Sequence, residues 1–180
     1  MFGNPYNEKV AVFIDAVNLH YTINNLGLRG KFDFEKFRDL FVGRNTYCVC
    51  MRYYTAIDEL PNGERPVQRL LDFLSDHGYE LITKEAKAYT NENGMREVKG
   101  NVDVVMTCDV LEIAPSVDRV ILVTGDGDFT ELVKRVQMKG KRVTVVSSRE
   151  ANMLSGDLRR AANDLIDLAD KKVVSLICKS

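Results

Sequence analysis

The 180-residue chain is 45% hydrophobic and 28% charged, with a formal net charge of −1 and a pI near 6.2. That composition belongs to a globular domain large enough to bury one core. It excludes a membrane-spanning segment, since no stretch approaches the roughly 20 apolar residues required. The balanced charge gives no global attraction to nucleic acid, so only a local patch would supply one.

MFGNPYNEK at the start shows no basic residue run, apolar stretch and cleavage site of a secretory signal, so a cytoplasmic protein is expected. The apolar, β-branched run KVAVFID at 9–15 predicts a strand buried on both faces and ending at Asp15. Asn18 is placed to cap a helix from 19 to about 26, with Gly27 as its stop, and Asp33 to cap a second helix over 34–41. TYCVCMRYYTAI, 46–57, reads as the second strand, and alternation there puts Cys48 and Cys50 on one face. The four cysteines form no CxxC pair, and beside only two histidines they read as reduced thiols rather than a zinc site. A helix over 65–78 follows, with Pro66 in its first turn and Gly78 at its end.

Residues 79–89 and 95–100 flank Asn93-Gly94 and predict a hairpin or extended excursion. A nearly all-apolar helix is expected at 101–115, capped by Asn101 and ended before Pro115. A strand at 118–124, a helix at 128–140 and a strand at 141–147 then form a β-α-β unit and hence a parallel pair. Beyond Ser148 come a helix at 157–162 and short apolar segments. The alternation argues for an α/β fold, a three-layer sandwich around a mainly parallel central sheet, with ligands bound beyond the carboxyl ends of the strands. The expected organisation is one α/β domain over 1–156 and a C-terminal extension over 157–180, packed on the core or on a partner subunit of a homodimer.

Right-handed crossovers bring every strand's C-terminal end, and the start of the following helix, to one edge of the sheet. Asp15, Asp126 and Asp128 gather there. Asp103, in the first turn of the 101–115 helix, joins them if the segment before it leads back to that edge. Each acid also has a simpler role: Asp128 with Glu131 makes a capping-box pattern, and Asp103 complements a helix dipole. Those roles leave the convergence unexplained, because carboxylates sharing a small site repel one another. A divalent cation removes that penalty. Magnesium takes oxygen ligands and retains several waters, and it can orient a water against a phosphodiester. Asn18 and Thr124 are neutral neighbours suited to orienting an acid or a water. Asp109 lies about 9 Å beyond Asp103 along the helix and roughly 240° around it. Set in an apolar stretch it needs a partner, which favours a bracing role over direct metal binding.

Three blocks resemble the NYN domain of LabA-like proteins, a branch of the PIN-like nucleases. FIDAVNL (13–19) matches with Asp15 and Asn18, KGNVDVVMTCD (99–109) with Lys99, Gly100, Asp103 and Asp109, and VTGDGDF (123–129) with Asp126 and Asp128. Order and spacing agree from about residue 9 to 148, and LRRAANDLIDL (158–168) is similar to the family's closing segment. The resemblance implies a PIN-like, Rossmann-like fold with an acidic centre for Mg²⁺ or Mn²⁺, and single-stranded RNA as substrate. On that reading the protein is a metal-dependent ribonuclease. Asp15, Asp103, Asp126, Asp128 and Asn18 form its catalytic set, Asp109 is admitted as a further metal ligand, and Lys99 contacts a substrate phosphate.

Two other readings use the same residues. A PIN-like fold retained as an RNA- or protein-binding regulatory module would leave the acids idle, with Lys134, Arg135, Lys139, Lys141, Arg142, Arg159 and Arg160 available to phosphates. Tyr53 and Tyr54 would have to be exposed to stack on bases. GDGDF is also similar to the late acidic block of haloacid-dehalogenase-type phosphatases, but Val17 stands where that chemistry needs a second acid. IDAVNLH holds no glycine, so no dinucleotide fingerprint follows the first strand.

Overall fold

The computed structural model describes residues 8–43, 45–57, 67–85 and 102–179 in full, and the backbone alone of 87–90 and 96–99. Runs rich in Val, Ile, Leu and aromatic residues become strands, and the acids and glycines between them set the turns. The order is β1 (Glu8–Asp15), α1 (Ala16–Asn25), α2 (Phe34–Asp39), β2 (Thr46–Ile57), α3 (Gln68–Asp76), β3 (Glu80–Glu85), β4 (Lys87–Thr90) and β5 (Arg96–Lys99). It continues with α4 (Asp103–Ile113), β6 (Arg119–Val123), α5 (Thr130–Met138), β7 (Arg142–Ser147), α6 (Gly156–Ala161), β8 (Asp164–Asp167) and α7 (Lys171–Ile177).

Six strands form one sheet in the order β3-β2-β1-β6-β7-β8, and every neighbouring pair is parallel. Val10–Ile14, Val120–Val123 and Val143–Val146 are continuously buried, as strands covered on both faces must be. One face packs α1, α2, α3 and α7 through residues such as Leu19, Phe37, Leu74 and Ile177. The other packs α4, α5 and α6 through Met106, Val110, Val133 and Leu158. This is the expected α/β three-layer sandwich, with the parallel character extended to all six strands. No helix among the described residues is long and apolar enough to cross a membrane.

Several local expectations change. α1 begins at Ala16, capped by Asp15 rather than Asn18, because the Asp15 carboxylate already accepts the Asn18 N–H. Gly27 and Gly78 do end α1 and α3, with φ of 66° and 86°. β3 belongs to the main sheet, and the hairpin is the separate antiparallel pair β4-β5. The turn expected at Asn93-Gly94, like Pro66 and Asn101, lies outside the described residues. In β2 the register with β1 shifts between Val10 and Ala11, which face Cys48 and Cys50, so Val49 is an extra residue. That bulge turns Cys48 toward one helical layer and Cys50 toward the other. Alternation had predicted a shared face; the thiols are free, as expected. Burial pushes both up to about 11.

After Ser148 the chain returns to the sheet. β8 pairs with β7, Leu168 lies in the core at 1% exposure, and Ile177 is fully buried. The Asp33 N–H donates to the Ile177 carbonyl at 2.8 Å, tying α7 to the start of α2. Replacing Leu168 by Ala is expected to cost about 2–5 kcal/mol, read as a lower denaturant midpoint for the whole protein in a single transition. A separate low-stability transition would show that this segment folds apart from the sheet.

Candidate active site

The carboxyl ends of β1 and β6 stand side by side, and each carries acids out of the sheet. Asp15 is only 7% exposed. Its Oδ1 accepts the Asn18 N–H at 3.1 Å, and its Oδ2 accepts the Thr124 hydroxyl at 3.2 Å. The same Thr124 oxygen accepts the Asp126 N–H at 3.2 Å. Asn18, freed from capping, reaches across the edge, where its Oδ1 accepts the Gly125 N–H at 2.9 Å. Asp126 accepts the Asp128 N–H at 2.9 Å and so starts the 3₁₀ turn Gly127–Phe129 that leads into α5. The capping role expected of Asp128 therefore falls to Asp126, and Asp128 is exposed within the turn.

Neither Gly125 nor Gly127 has a positive φ. Glycine is required here for close approach. A Cβ on Gly125 would lie 1.8 Å from the Met153 carbonyl oxygen and 2.6 Å from Ser147 Oγ, and one on Gly127 would lie 2.8 Å from Ser155 Oγ. The Ser155 N–H also donates to the Gly125 carbonyl at 2.8 Å. Met153 and Ser155, whose part no sequence motif announced, thus clamp the acid loop from behind, and the paired glycines were their only trace.

The acids interact through space. Burial raises the Asp15 carboxyl above its ordinary value, and the nearby charges of Asp103 and Asp126 raise it further, against hydrogen bonds from Asn18 and Thr124 that act the other way. Asp103 is likewise raised by burial and then by Asp126 and Asp128. α4 therefore begins at this edge, although the segment before it is the β4-β5 hairpin and not a strand of the main sheet. Among the described residues, no three or more His, Cys, Asp or Glu side chains are arranged to hold a metal ion as they stand. The donors nonetheless suit a hard cation. They are all oxygens, Asp15 and Asp103 bear the cost of burial and then of neighbouring negative charge, and magnesium keeps several waters that bridge to carboxylates out of direct reach.

Asp109 faces elsewhere, toward β2. It accepts the Tyr54 hydroxyl at 2.7 Å and pairs with Arg52 at 3.0 Å, while Arg52 also binds Glu80 at 2.9 Å. Arg52 and Tyr54, two residues apart on the strand, share a face and form the partner that an acid in an apolar helix requires. α4 is less buried than its composition suggested: Met106 and Val110 enter the core, but Val104 is 67% exposed. Lys99 is the last residue of β5, with its side chain outside the described set. Arg142 starts β7 at the opposite edge and pairs with Asp164, Lys134 and Arg135 pair with Glu131, and Arg160 with Asp157. Tyr53 and Tyr54 are buried and present no stacking face.

The family model of the NYN domain matches residues 9–169. The low amplitude and bright protein LabA of Synechococcus elongatus is 30% identical over 166 residues, 91% of this chain and 85% of that protein. A solved structure of a protein of unknown function, VPA0982 of Vibrio parahaemolyticus, is 30% identical, covers 99% of this chain and 100% of its own, and superposes with a TM-score of 0.76.

Two measurements probe this geometry. Asp15 and Asp103 titrate near 3.8 when unfolded and higher when folded, so their contribution to stability is lost as pH rises through the folded-state values. In chelator, the stability of wild type relative to Asp15→Asn, which keeps a capping oxygen, should fall as pH rises above about 4, so that the variant melts higher near pH 7. Superimposable profiles would argue against a cost of charging the buried Asp15. Asp109→Ala should lower metal-free stability by about 1–3 kcal/mol, because Arg52 and Tyr54 lose a shared acceptor. An unchanged metal-free melt together with lost metal stabilisation would instead mark Asp109 as a ligand.

Proposed function

We propose, from the premise that this chain belongs to the NYN domain family, that it hydrolyses RNA phosphodiester bonds with Mg²⁺ or Mn²⁺ held at the edge formed by Asp15, Asp103, Asp126 and Asp128. NYN domains are part of the PIN-like nuclease superfamily, whose members generally bind RNA and depend on divalent metal. The observation that carries the reading is the gathering of these acids at one sheet edge built from oxygen donors, where burial first and the neighbouring carboxylates after it raise Asp15 and Asp103. A divalent cation held there would supply Lewis-acid chemistry, offsetting the negative charge and favouring attack of water on a phosphodiester.

Each residue has a separate task. Asp15 and Asp126, joined through the Thr124 hydroxyl, are the acids that would hold the ion. Asp103 brings a third carboxylate from α4. Asp128, exposed in its turn, orients the attacking water on the solvent side. Asn18 keeps the Gly125 loop, and so Asp126, at a fixed distance from β1. Asp109 braces α4 through Arg52 and Tyr54. A single strand is the preferred substrate, because its backbone can be laid across the sheet edge with the bases free to turn aside.

Labelled single-stranded RNA with Mg²⁺ or Mn²⁺ tests the reading. Wild type should cleave it, chelator should stop cleavage, and Asp126→Asn and Asp15→Asn should each slow it by about a hundredfold or more. Equal rates in all three proteins would remove the mechanism. RNA that wild type binds with either metal but never cuts would instead establish a binding module.

A further inference from the structure

α1 separates two different surfaces. Asn18 and Asn25 lie on the side facing the acid loop and the segment after β7, where they hydrogen-bond Gly125 and the Ala151 carbonyl. Val17, His20, Tyr21 and Asn24 follow the 3–4 spacing of the neighbouring stripe, and they line a recess of about 300 Å³ closed by Tyr53 of β2 and by Leu70 and Leu71 of α3. Val17 and Tyr21, 54% and 57% exposed, stand at its mouth. Among the described residues, no lysine, arginine or carboxylate lines it. The His20 ring is hydrogen-bonded to the Tyr53 hydroxyl at 2.8 Å, and burial lowers its pKa, so it is predominantly neutral near pH 7. The recess adjoins the acids: Ala16 and Val17 directly follow Asp15, and the charge of Asp15 contributes to raising the Tyr53 hydroxyl, after burial.

We infer that this recess receives one nucleobase of a single-stranded RNA whose neighbouring phosphate lies at the acid edge, with the base stacked against Tyr21. The inference rests on the nuclease reading above and adds where the chain is gripped. An anionic ligand would find no counter-charge among the described lining residues, whereas a neutral planar ring buries apolar area there and keeps its polar rim toward Asn24. α1 then divides the labour: its acid-loop side serves the phosphate and its recess side the base.

The experiment measures binding in chelator, so that nothing is cut, using a fluorescently labelled oligouridylate and a chain of the same length with all bases removed. Tyr21→Ala should weaken binding of the base-bearing RNA about tenfold, leave the abasic chain unaffected, and melt like wild type because the side chain is largely exposed. Tyr21→Phe should restore the affinity. In cleavage with Mn²⁺, Tyr21→Ala should raise KM and spare kcat. The inference falls if Tyr21→Ala binds base-bearing RNA as wild type does, or if both chains weaken equally. In either case cleavage by wild type would leave the nuclease reading standing, whereas a wild type that neither binds nor cuts RNA would remove both.

Discussion

A single buried hydroxyl, that of Thr124, joins the two strand ends on which the site is built. It has one proton to give and lone pairs to receive with. The proton goes to the Asp15 carboxylate, and a lone pair takes the Asp126 N–H. Neither acid has to be held by the other or by a cation. Asn18 repeats the arrangement with an amide, receiving the Gly125 N–H from across the edge. Neutral side chains therefore fix the geometry, and the acids themselves are left with charge to spare. Such a device works only because β1 and β6 run the same way as immediate neighbours, which places both carboxyl ends at one level.

The remaining tension is electrostatic. Asp15 and Asp103 ionise less readily in the fold than in the unfolded chain, so at neutral pH the site opposes the structure that contains it. Two continuous apolar clusters, one on each face of the sheet, supply the stability against which that opposition is sustained. This is the usual relation between a strained site and a well-packed scaffold. Met153 and Ser155, packed behind Gly125 and Gly127, hold the acid loop against that scaffold.

Much of this was legible in the residues. Apolar runs separated by helical periodicity imply the layered sheet, and the crossover rule by itself brings Asp15, Asp126 and Asp128 to one edge. The need of Asp109 for a partner was readable as well, though not that Arg52 and Tyr54 would provide it, because a strand's period fixes which residues share a face but not what lies opposite. Other features failed for local reasons. Asn18 has good capping chemistry, yet Asp15 stood three residues earlier with the same chemistry and took the role. The face-swap of Cys48 and Cys50 follows from a bulge at Val49, and one inserted residue leaves no mark in a β-branched run. At Gly125 the lack of a side chain is the operative property, and only the carbonyl of Met153, 28 positions away, reveals that.

The distribution of thiols gives the molecule a property of its own. Cys50 is buried, Cys48 and Cys178 are half covered, and Cys108 is exposed on α4, the helix that opens with Asp103. With Cys48 and Cys50 pushed up to about 11 by burial, hardly any of their thiolate exists at neutral pH. An alkylating fluorophore or nitroxide should therefore settle first on Cys108 in the unaltered sequence. The protein carries, at a native position on the helix that presents one of its acids, a point where spectroscopy can attach without disturbing the strands beneath.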